Sequence, residues 1–420
     1  MRVTQLFAYE ILASGGYPTI EVIATLEDGS TGVASVPYGA SAGSYEATVL
    51  IDGDASRYNG KGMLKAIANI REKISPVILG MDALDQRAID EKMIALDGSS
   101  TKATLGGNAI LAVSLAVAKA AAASQHKPLY RYIADTFQTG ADFSHLPNPM
   151  IVVIEGGKHA DETTDLQEYC ITGIGEGGPT QNIRYALETY HALAKILKKN
   201  QLSTNVGNEG AFAPNGIPNN ESPFQYIVEA ITAAGYIAGK DLGISIDAAA
   251  SEFYENGLYH LKLENRSLTA DELMEYYTTW FEKYPIVTVE DLLDEDDWAN
   301  WTKLHQITQR FSIPLIGDDL TVTSKDRLQK AITTNAISAI LIKLNQIGTL
   351  TETIDTCLLA KEHGMMTVPS HRGGGETNDT TMVDLAVAVG GTYMKVGPTR
   401  GERVSKFNRL MEIERELQVR

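Results

Sequence analysis

The sequence predicts an α/β protein: a β/α barrel preceded by a smaller α+β domain. Three observations predict it. A chain of 420 residues exceeds what one ordinary core organises. Its first third reads as strands followed by helices, without alternation. From Pro147 onward, short apolar runs alternate with helical stretches, the pattern of a parallel sheet.

The elements follow in order. Residues 3–12, 18–27 and 31–37 are rich in Val, Ile and Thr, and Asp28-Gly29 between the last two is a hairpin signal. Segments 61–79, 82–97 and 106–126 carry apolar residues at three- and four-residue spacing, as amphipathic helices do. The polar stretch Gln138 to His145 reads as a linker, so the expected domains are 1–138 and 139–420. Beyond it lie eight strand-like runs: 150–155, 168–174, 242–247, 286–291, 313–319, 339–344, 365–371 and 392–396. Eight candidate strands suggest a closed barrel.

Bulk composition narrows the function. A formal net charge of −17 makes nucleic acid and anionic membrane poor partners. An anionic substrate then needs a locally positive site. Cys170 and Cys357 each sit inside an apolar run and read as buried thiols in a reducing compartment. Glu10 interrupts the N-terminal MRVTQLFAYEIL, so a signal peptide is not expected and a cytoplasmic location is. The apolar stretch Ala109 to Ala123 contains Ser114 and Lys119, is too short to span a bilayer, and reads as a buried helix.

Chemistry in a β/α barrel sits at the C-terminal ends of the strands. Six successive runs carry, at or one residue before their ends, Asp247, Glu290, Asp318, Lys343, His371 and Lys395. Any one of the acids could cap a turn. Three at matching strand ends, without Cys or His among them, form a hard oxygen set suited to Mg²⁺. Lys343 follows AILI and must bury its stem. With a metal and Lys395 nearby, its ammonium is disfavoured and a neutral amine, a general base, becomes accessible. Gly173-Ile174-Gly175-Glu176-Gly177-Gly178 matches a dinucleotide fingerprint, but no ribose-binding acid follows at the required distance, so it reads as a glycine-rich turn.

Long motifs then point to a family. VPYGASAG (36–43), GGNAILAVSLA (106–116), GGKHAD (156–161), LQEY (166–169), VGNEGAFAPN (206–215), IDAAASEF (246–253), YPIVTVEDLLDEDDW (284–298), GDDLTVT (317–323), LIKLNQIGTLTE (341–352), SHRGGGET (370–377) and KVGPTRGERVSKFNRLMEIE (395–414) make the chain resemble the enolases along nearly its whole length. The resemblance implies an enolase-type barrel whose second strand runs antiparallel. It implies reversible dehydration of 2-phosphoglycerate to phosphoenolpyruvate, a glycolytic lyase reaction, with a lysine base and Mg²⁺. By motif, Asp247, Glu290 and Asp318 hold the first Mg²⁺, and Ser41 helps hold a second that arrives with substrate. Lys343 is the base and Glu209 the acid, with Glu168 assisting. His371, Arg372 and Lys395 bind substrate charge, His159 and Gln167 complete the pocket, and Gly373 stands at the phosphate end. The resemblance also implies a homodimer or a ring of dimers, and allows display at the cell surface beside the cytoplasmic location expected.

Departures qualify the resemblance. The usual SGAST is here Tyr38-Gly39-Ala40-Ser41-Ala42. The usual NGGSHAG carries Glu155, Lys158 and Asp161 instead, and GDEGG is GNEGA with Asn208. The usual SHRSGETED is SHRGGGETND, one residue longer, with Gly373 in place of a phosphate-contacting serine. The expectation is a phosphate site weakened at Gly373, with Lys158 adding charge from the opposite loop. Two alternatives accompany the leading one: an enolase-like lyase with shifted preference or low activity, and a surface or binding protein with vestigial catalysis.

Overall fold

In the computed structural model, which describes residues 1–39, 43, 45–161 and 163–418, the N-terminal strands Val3–Leu12, Pro18–Leu26 and Thr31–Ser35 form an antiparallel meander. The turn at Asp28-Gly29 has Gly29 at φ +86°, a left-handed conformation glycine adopts without strain. Alternate residues of the central strand, Ile20, Val22, Ala24 and Leu26, are buried. They face the helix Gly107–Ser124, which contains the apolar stretch read from the sequence and is buried along most of its length. Small residues make the contact close. A Cβ on Gly32 would lie 2.2 Å from the Ala116 carbonyl oxygen and the Ala120 nitrogen.

The eight runs predicted as barrel strands are strands: Asn148–Glu155, Glu168–Gly173, Leu242–Asp247, Ile286–Glu290, Leu315–Gly317, Ala339–Ile342, Met366–Pro369 and Tyr393–Val396. We number them first to eighth. They lie side by side in chain order, the eighth pairing with the first. A Ser370–Lys395 bridge joins the seventh to the eighth and closes the barrel. The second strand is antiparallel to both neighbours. Met150, Val152, Cys170, Ile316, Ala339, Leu341 and Val368 pack together as one apolar cluster, set by the period-two alternation of the strands.

The antiparallel strand has two consequences. Its first residue, Glu168, pairs with Asp247, the last residue of the third strand. A strand start therefore joins the strand ends at the catalytic face. Its last residue, Gly173, leads away from that face. The glycine-rich turn lies there, and the helix Gly178–Lys199 that follows receives Glu414, which accepts from the Thr180 N–H at 3.1 Å. The turn thus has a carboxylate where a pyrophosphate would need to sit. Cys170 and Cys357 are both buried free thiols.

Candidate active site

The strand ends converge on one cavity. It is lined by His159, Gln167, Glu168, Glu209, Asp247, Asp318, Lys343, His371, Arg372, Gly373 and Lys395, all proposed from the sequence, together with Glu46, Asp291 and Asp319. Glu290 is buried behind Lys395. Ser41 lies outside the described residues.

Lys395 is the hub. Its Nζ is 2.8 Å from Glu168 and 2.9 Å from both Asp247 and Glu290. Burial works against its charge, but these carboxylates outweigh burial and hold it well above the ordinary lysine range. Glu290 is pushed well above the carboxylate range by burial and by Asp247 beside it.

Lys343 extends from the sixth strand and places its Nζ 2.5 Å from Asp318 Oδ2. Burial does act to discharge the amine, but the Asp318 charge outweighs it, and Lys343 stays above its ordinary range. The ion pair joins neighbouring strands, and the neutral amine expected from the sequence counts on a nearby cation that would draw Asp318 away from it. The other oxygen of Asp318 accepts from Gln346 Nε2 at 2.8 Å, and the Lys343 N–H donates to Thr323 Oγ1 at 2.9 Å.

On the far side stand Glu209, His159 and His371. Glu209 Oε2 is 3.0 Å from His371 Nε2, and its Oε1 is 3.6 Å from His159 Nδ1. His159 Nδ1 is also 3.2 Å from Glu168 Oε1. Burial lowers His159, but the Glu168 hydrogen bond and the Glu209 and Glu168 charges reverse this and raise it to about 9. Burial would raise Glu209; His371 and His159 hold it low instead. Glu168 starts the second strand and Lys343 follows the sixth, four places round an eight-stranded barrel. The two clusters therefore face each other across it.

Arg372 donates from its guanidinium to Glu46 at 2.9 Å, and Glu376 accepts its backbone N–H at 2.9 Å. The glycine loop after it pairs with the start of the 38–45 segment, Gly374 with Gly39 and Gly375 with Tyr38. A Cβ on Gly373 would stand 2.8 Å from Glu209 Oε1 and 3.0 Å from His159. The residue is thus pressed against the acid cluster, a role that sequence reading could not see. Lys158, expected to add charge at the phosphate end, is paired with Glu252.

Donors for a hard cation are present. Oxygens of Asp291, Asp318 and Asp319 lie within 4.8 Å of one another, and so do ligand atoms of His159, Glu168 and Glu209. Asp247 and Glu290 are register partners on adjacent strands, both on Lys395. Buried carboxylates in such excess over cations, all with oxygen donors, fit a divalent ion such as Mg²⁺. Asp291 and Asp319 were missed by sequence reasoning, although each directly follows a predicted ligand. Asp291 accepts the N–H groups of Asp318 and Asp319 at 3.0 and 2.7 Å and so shapes that turn.

Two family models cover the chain. Residues 3–133 match the enolase N-terminal domain, and residues 143–420 match the enolase C-terminal TIM barrel domain. With its barrel, its antiparallel second strand and a lysine facing a glutamate–histidine cluster across one acid-lined cavity, the chain belongs to the enolase family, whose chemistry is that of a lyase.

Proposed function

We propose that the protein interconverts 2-phosphoglycerate and phosphoenolpyruvate. The observation that carries this reading is the placement of Lys343 and the Glu209–His159–Glu168 cluster on opposite walls of one buried cavity. Dehydration of a 2-substituted 3-hydroxy acid needs that division. Freed from Asp318 as the neutral amine, Lys343 Nζ takes the proton from the carbon next to the substrate carboxylate, leaving its electron pair in a dianion. Breaking the distal C–OH bond then forms the C=C bond, and the departing hydroxide leaves as water with a proton delivered through Glu209, which is ionised at rest and draws that proton from the His159 imidazolium beside it. His159, raised to about 9, keeps a proton beside Glu209 at neutral pH.

Asp247, Glu290 and Asp318 would hold Mg²⁺, with Asp291 and Asp319 beside them and Ser41 for a second ion. Bound there, the cation would supply positive charge for the dianion and compete with Lys343 for Asp318. Arg372 binds the phosphate through its planar fork, while His371 orients Glu209. Lys395 keeps Glu168, Asp247 and Glu290 from repelling one another.

A second reading, a related lyase with shifted preference, is favoured by one feature: Gly373 faces Glu209 and adds no hydroxyl for a phosphate. The deciding experiment supplies 2-phosphoglycerate and Mg²⁺ and follows phosphoenolpyruvate formation, with a chelator control. Chelator-sensitive turnover is expected. Its absence, with turnover of another 3-hydroxy acid, overturns the first reading in favour of the second.

A further inference from the structure

We infer that Glu155 is a positioning residue that clamps the turn carrying Glu209, so that the acid faces the leaving group. The inference rests on the dehydration reading for its catalytic consequence. Glu155 ends the first barrel strand and is fully buried. Its Oε1 accepts two backbone N–H groups, from Glu209 and Ala211, each at 2.9 Å. The backbone ties the same turn down: the Glu155 N–H donates to the Phe212 carbonyl at 2.9 Å, and the Phe212 N–H to the Val153 carbonyl at 3.0 Å. The turn closes on itself through the Gly207 N–H and the Ala211 carbonyl at 3.0 Å.

The second oxygen, Oε2, has no hydrogen-bond partner among the described residues. It lies over Gly207, where an added Cβ would come within 2.1 Å. Glu155 and Gly207 are thus matched in shape. Burial, then the Glu209 charge, raises Glu155 to about 8. The clamp therefore uses one acceptor oxygen at the reach of a glutamyl side chain. Glutamine should serve as well as glutamate.

Glu155→Ala, Glu155→Gln and Gly207→Ala test this. Three quantities are measured: phosphoenolpyruvate formation, exchange of the substrate α-proton with solvent deuterium, and amide hydrogen exchange of a 206–212 peptide without substrate. Exchange needs only Lys343, whereas dehydration needs Glu209. Glu155→Ala and Gly207→Ala should slow dehydration by about tenfold to a hundredfold, the scale of an ångström-level misplacement. Both should keep α-proton exchange and KM within about twofold and speed amide exchange in the turn. Glu155→Gln should match wild type within about threefold. Equal loss of both reactions, or a glutamine variant as poor as alanine, overturns the clamp. If wild type forms no phosphoenolpyruvate, the functional reading fails while the amide measurement still decides the clamp: unchanged exchange in Glu155→Ala, or in Gly207→Ala should alanine at 155 not fold, overturns it.

Discussion

Lys343 follows the sixth strand and pairs with Asp318 just beyond the neighbouring fifth, and Lys395 on the eighth reaches across the barrel to carboxylates of the second, third and fourth strands, whereas Glu209, His159 and His371 meet from connections that leave the barrel at different points. On the first side, position follows from register: Glu290 pairs with Asp247, and Ser370 bridges to Lys395. On the second, position depends on hydrogen bonds that tie loops down, such as those from Glu209 and Ala211 to Glu155. The lysine side is a rigid array of charge. The acid side is an assembly that a single lost contact can misplace.

The comparison can be broken most sharply at the two reacting groups. Lys343→Ala should lower phosphoenolpyruvate formation by about 10²–10⁴-fold, the range of a positioned base, and abolish exchange of the substrate α-proton with solvent. Wild-type exchange in that variant would remove the base from the lysine side. Glu209→Gln should cost dehydration about 10²–10³-fold yet keep measurable exchange. Parallel loss of both reactions would mean that the two sides do not act in separate steps.

A smaller effect is expected at Gly373. A side chain there must displace Glu209 or His159, since its Cβ falls within about contact-breaking range of both. Gly373→Ser should therefore reduce kcat by roughly tenfold rather than improve phosphate binding. A fall in KM for 2-phosphoglycerate with kcat kept would show instead that the loop lacks only a hydroxyl.

The smallest effect concerns stability. His159 is raised from its unfolded value near 6.5 to about 9, because the Glu168 and Glu209 interactions exceed the opposing effect of burial. A raised histidine stabilises fully below about pH 6.5 and loses that contribution as pH rises through about 9. The difference in unfolding midpoint between wild type and His159→Gln should therefore shrink from pH 6.5 to 9.5. A constant or widening gap would take the proton away from His159.

Much of the lysine side was readable before any coordinates. Asp247, Glu290, Asp318, Lys343 and Lys395 each stand at or one residue before the end of an apolar run, and a polar residue at the end of a buried strand has one face of the barrel to reach. Glu168 was not readable that way. It begins its strand, and only the antiparallel pairing brings it level with Asp247. Its candidacy came from motif resemblance alone, as did that of Glu209, His159 and Gln167. Gly373 shows the limit of motif reading, since a missing hydroxyl pointed to the phosphate while the backbone lies against the acid.

The order of strands, the barrel and the carboxylate-rich mouth follow from local patterns, because period-two burial and the spacing of β/α units act over a few residues at a time. The Lys343–Asp318 pair, the hub at Lys395, the Glu155 clamp and the approach of Gly373 to Glu209 were decided by tertiary structure. Each joins side chains from separate elements, 25 to 227 positions apart for the hub and the ion pair alone. Their energetics turn on burial and on which charge is nearest, quantities that exist only once the barrel has closed.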